Sequence, residues 1–170
     1  NIDIRFDGLM PRRLLNVSTS DLRASYRAGD TISFRAATNY PAYISRAEVR
    51  VIDTTGRARR TVATLPVSPN GTVNWTMPAD SSAEMIYVLR VYDAQGRYDE
   101  TWPLDLTRTE KAFGTHANTG APLTAAGEGE DRTRQRAIPV TGGMVTVSGR
   151  ADASAPVRVM GETVPVTPAG

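Results

Sequence analysis

The chain has no cysteine and a single lysine, Lys111. Without cysteine there is no disulfide framework and no thiolate metal site. One histidine, His116, is too few for a zinc centre of the usual kind. As the sole histidine base for a nucleophile triad it falls in the linker-like stretch 108–136, where it reads as solvated and uninvolved. No run of 18 apolar residues occurs, so no helical membrane span is encoded. Neither a phosphate-cradling glycine loop nor a nucleophile-elbow motif is present. Helical periodicity is nearly missing as well.

The charge is close to balanced, with 20 Lys+Arg against 18 Asp+Glu in 170 residues. Nearly all the positive charge is arginine, scattered among acids. Arg12-Arg13 and the run 57–60 (RARR) are the only clusters, and both read as solvated positions. A nucleic-acid binder gathers its basic residues into a stripe, so nucleic acid is not an expected partner. A chain that opens at Asn1 is expected to be a processed form or a fragment of a longer parent.

Short alternating segments separated by turn signals are what the chain does contain. They run at 1–6, 14–22, 31–38, 47–53, 57–67, 73–77, 85–93 and 97–106, with a short helix at 20–29 left open. In 31–38, Ile32, Phe34 and Ala36 share one face. The stretch 57–67 reads as an exposed edge because of its arginines and Pro66. Residues 85–93 (MIYVLRVYD) form the most apolar run and read as a central strand. Val73, Trp75 and Met77 share a face, which places Trp75 in the core. So many half-buried strands require two packed sheets. The expected fold is all-β: an antiparallel β-sandwich over 1–107, then an irregular linker or docked extension over 108–136. A short β module follows over 137–170, read as the unfinished start of a second sandwich.

Two corners share a spelling. Asp53-x-x-Gly56-Arg and Asp93-x-x-Gly96-Arg each follow an apolar strand. Aspartate accepts local backbone N–H groups, and glycine takes the left-handed position. All four residues are therefore assigned to turn formation. Asp99 and Glu100 are adjacent, hence on opposite strand faces, and are not matched for acid–base work. A second pairing, Asp93 with Asp99 across their hairpin, would place two carboxylates around a cation. The acidic run 127–131 lacks calcium-loop spacing. No cofactor, metal or catalytic residue is assigned. Aromatics supply the candidates for binding a ligand or partner: Tyr40 and Tyr43 in one loop, Tyr98 and Trp102 on one face of the last hairpin.

The stretch 26–40 (YRAGDTISFRAATNY), the strand ending VLRVYDAQGR and the close-out TWPLDL together resemble immunoglobulin-like modules of large bacterial exported proteins. The segment 138–170 is similar to the opening strands of a further such module. The resemblance implies a non-catalytic structural or protein-interaction module of a cell-envelope protein, periplasmic or at the outer-membrane surface. It would act as a spacer or assembly element. Its implied partners are other domains of the parent chain or neighbouring envelope proteins. The alternative is a carbohydrate-binding module that stacks glycans on exposed aromatic rings.

Overall fold

A computed structural model describes residues 2–7, 12–110, 130–140, 144–150, 157–159 and 162–164. Among them there is no α-helix, only one 3₁₀ turn at Pro41–Tyr43. The stretch 20–29 forms turns and a two-residue strand, not a helix. The strands are β1 (Ile2–Asp7), β2 (Leu15–Thr19), β3 (Ser25–Tyr26), β4 (Thr31–Thr38), β5 (Arg46–Asp53), β6 (Arg60–Val67) and β7 (Thr72–Thr76). They continue as β8 (Glu84–Tyr92), β9 (Tyr98–Thr101), β10 (Leu104–Arg108), β11 (Thr133–Gln135), β12 (Met144–Gly149), β13 (Val157–Val159) and β14 (Glu162–Val164).

Two antiparallel sheets pack face to face. One has the order β2-β4-β7. In the other, β8 lies between β5 on one side and β9 and β10 on the other, with β6 outside β5. The alternation in β4 and β5 places Ile32, Phe34, Ala36, Val49 and Val51 inward, each buried. They meet Leu15, Val17, Tyr87, Leu89, Val91 and Leu106 in one core. Phe34 and Tyr87 lock the layers together, with ring centroids 4.9 Å apart. Met77 is fully buried, whereas Trp75 packs against the core half-exposed, at its margin rather than its centre.

The last hairpin strand is split in two. β9 pairs with residues 90–92 of β8 and β10 with residues 84–87. Pro103 has no N–H to donate, so the ladder lapses beside it. The Thr101 hydroxyl fills the gap by accepting the Leu89 N–H at 3.0 Å. Each half then carries its own outer partner. β3 runs parallel to β10, and β11 runs antiparallel to β9.

The pairing of β11 brings part of the expected linker into the sandwich. Residues 130–140 close its side, and Ile138, past the boundary drawn at 136/137, joins the core. The N-terminal segment behaves differently from its reading as a sandwich strand: β1 pairs with β12 in a separate two-stranded sheet. β13 and β14 form another such pair. His116 and most of the acidic run lie outside the described residues.

Candidate interaction surface

The two corners spelled alike are built differently. At the β8–β9 corner, Asp93 Oδ1 accepts the backbone N–H of Gln95 at 3.0 Å and of Arg97 at 2.9 Å. Arg97 Nε adds an ion pair to Oδ2 at 2.7 Å. Gly96 has φ +81°, the left-handed region that a Cβ disfavours. Burial raises the Asp93 pKa, but these bonds to the ionised form outweigh it and leave the carboxyl below its ordinary value. At the β5–β6 corner, Asp53 accepts from the Ser82 hydroxyl and from the Thr55 hydroxyl and N–H, and these bonds hold its carboxyl well below the ordinary range. Gly56 does not take positive φ, which corrects the left-handed assignment. Six residues, 54–59, span that corner, so no single residue has to reverse the chain.

Asp99 takes a structural role that the sequence reading, which weighed it only for acid–base work and a cation, did not assign. Its side chain points inward and is 0% exposed. Oδ2 accepts the Tyr40 hydroxyl at 2.7 Å, and Oδ1 accepts the backbone N–H of Ala137 at 2.7 Å and of Ile138 at 2.9 Å. Asp93 and Asp99 are each bonded to their own protein partners, Asp93 at the β8–β9 corner and Asp99 at Tyr40 and residues 137–138. No cluster of metal-ligating side chains occurs among the described residues. Tyr40 is likewise fully buried and presents no face to a ligand. Burial, together with its bond to Asp99, raises the pKa of its hydroxyl strongly. Burial also pushes the Tyr87 hydroxyl up to about 12. Tyr43 is half-buried against the core. The one signal for Asp99 was alternation: in Tyr98-Asp99-Glu100-Thr101 the acid falls on the inward face, where a buried charge demands partners.

The outward face of β5, β8 and β9 carries interleaved arginine, tyrosine and glutamate. The Arg46 guanidinium lies 3.6 Å from the Tyr92 ring centroid, and that of Arg90 lies 4.1 Å from Tyr98. The two tyrosine rings are 6.0 Å apart. Tyr92 donates its hydroxyl to Glu48 at 3.0 Å, and Arg90 pairs with Glu100 at 2.7 Å. Arg46 also pairs with Glu48, at 3.1 Å. Cross-strand register explains the pattern: Arg90 lies opposite both Glu48 and Glu100, and Tyr92 opposite both Arg46 and Tyr98. Arginines therefore cap the Tyr92 and Tyr98 rings.

Trp102 differs. Alternation puts it on the same side as Tyr98 and Glu100, and it is 59% exposed. The guanidinium of Arg134, in the docked segment, is 5.7 Å from the ring centroid. Of the four aromatic candidates, the fold brings Tyr98 and Trp102 to one face and leaves Trp102 open.

No known protein family, curated protein or solved structure matches the chain.

Proposed function

We propose that the chain is a non-catalytic structural and interaction module of a larger bacterial cell-envelope protein, serving as a spacer or assembly element. The strand order supports an immunoglobulin-like reading of the sandwich. The chain crosses from β2 in one sheet to β3 in the other, where β3 runs parallel to the closing strand β10. The observation that carries the functional reading is the employment of the buried acids. Asp53, Asp93 and Asp99 are each engaged in holding a corner or a docked segment in place. Chemistry that would mark a reactive site is thus spent on shape. Fractionating cells of the native host with the parent chain epitope-tagged tests the assignment. Recovery in the periplasm or outer membrane supports it, and recovery in the cytoplasm alone overturns it.

Carbohydrate binding is the second reading, and exposed Trp102 favours it. Indole faces stack on sugar rings through dispersion and C–H contacts, and Trp102 is the open aromatic face on this side of the sandwich. A glycan array probed with the full chain and with Trp102→Ala decides it. Binding that falls at least tenfold in the variant supports the reading; binding that is absent or unchanged ends it.

A further inference from the structure

Residues 131–138 sit across the open side of the sandwich and join its two sheets. The Arg132 N–H donates to the Leu15 carbonyl of β2 at 2.9 Å, while the Arg132 carbonyl accepts the Trp102 N–H at 2.8 Å. Asp131 Oδ1 accepts the Leu15 N–H at 3.2 Å. β11 then pairs with β9, Thr133 opposite Thr101 and Gln135 opposite Glu100. At the far end, Asp99 receives the N–H groups of Ala137 and Ile138, Arg13 donates to the Ile138 carbonyl at 2.6 Å, and the Ile138 side chain enters the core.

Remove this strap and the rest of the sandwich is left unfinished. Leu15 and Trp102 lose backbone partners, Asp99 keeps only Tyr40, and the site of Ile138 opens. Unpaired backbone groups and an apolar gap in line are what an incoming strand satisfies.

The tether is longer than closure requires. Arg132 lies beside Trp102, six residues back along the edge from Arg108, a separation of roughly 20 Å. About seven extended residues would span it. The chain between Arg108 and Asp131 has 22 residues, 109–130.

We propose that the groove between β2 and β9 is a strand-accepting site, filled here by the chain's own residues 131–138, which also accepts that same segment from a second copy. The occupant's chemistry is defined by the segment now seated there: an Asp-Arg-Thr start, an edge-pairing middle and an apolar Ile138 anchor. Tethering holds the strap at an effective concentration on the order of millimolar. The closed monomer therefore prevails in dilute solution, and exchange prevails where copies are crowded or held in series. This gives the assembly reading a mechanism, and its test does not depend on compartment or glycan, so the two can fail separately.

A labelled synthetic peptide spanning residues 130–140 is titrated by anisotropy against the full chain and against the full chain carrying Ile138→Asp, whose own strap is disabled. The peptide binds the variant at least tenfold more tightly, and a peptide with the same Ile138→Asp change binds neither. Equal binding to both chains, binding to neither, or equal binding of the altered peptide overturns the proposal. If the variant chain loses its β signal by circular dichroism, native-state hydrogen exchange of the unaltered chain decides. The amides of Trp102, Arg132, Ala137 and Ile138 then exchange as one group, at least tenfold faster than those of Val49 and Leu89. Exchange of all of them together, only on global unfolding, overturns it.

Discussion

At the residue scale, the twin Asp-x-x-Gly-Arg spellings separate cleanly by backbone angle. Gly96 sits at φ +81° with nothing near its missing Cβ, so the demand there is conformational and not steric. Gly56 has ordinary φ, and a Cβ there would meet the Ala58 carbonyl at 3.5 Å, a normal contact. Gly96→Ala is thus expected to destabilise by about 1 kcal/mol. Gly56→Ala is expected to fall within about 0.5 kcal/mol of the parent. Urea unfolding of the two variants checks the difference, and equal losses would refute it. Acid response belongs to the same residues. Asp53 and Asp93 have folded pKa values below the ordinary 3.8, so their contribution is present above that value and is lost as pH falls below it. The urea midpoint should fall as the pH is lowered from about 5 to about 2, through the ordinary carboxylate range. Asp93→Asn should flatten that fall, and an unchanged pH profile would show that the corner does not hold its charge.

At the element scale, the strap carries more of the structure than its three-residue strand implies. Asp99→Ala would leave the Tyr40 hydroxyl and two strap N–H groups buried without an acceptor. A loss of at least ~3 kcal/mol is expected by urea unfolding, with Asp99→Asn milder because a carbonyl oxygen remains. A loss under ~1 kcal/mol for the alanine variant would mean that the strap is not anchored there. Trp102, directly after β9, faces away from Asp99 and is open to solvent. Trp102→Ala should change stability by no more than about 0.5 kcal/mol, so any lost binding reports contact rather than unfolding.

What the sequence made legible follows from which forces are local. Alternation in 31–38 and 47–53 identified the inward faces, because burial of Ile32, Phe34, Val49 and Val51 leaves a period of two. The apolar run 85–93 marked the central strand, and Pro66 the edge strand β6, which among the described strands pairs with β5 alone. The strap was not legible. Thr133–Gln135 has no apolar pattern of its own, and its place is set by contacts 116 residues away at Leu15 and 38 at Asp99. Tyr40 looked like a loop aromatic for the same reason: its burial depends on Asp99, 59 residues on. Gly56 misled because spelling resembles geometry only when the loop length is also the same.

At the scale of the whole molecule, the main body of the described residues is a two-sheet sandwich whose side is closed by a late segment of the same chain, held by a buried aspartate. Its outer face presents paired charge and one open tryptophan. The most direct test is a double-mutant cycle between Asp99→Asn and Ile138→Ala, measured by urea unfolding of the full chain. Ile138→Ala alone should cost about 2–5 kcal/mol. If Asp99 and Ile138 hold one strap, the double variant loses less than the sum of the two single losses, by about 1 kcal/mol or more. Losses that add to within about 0.5 kcal/mol would contradict the account, because the aspartate and the isoleucine would then be stabilising separate parts of the fold.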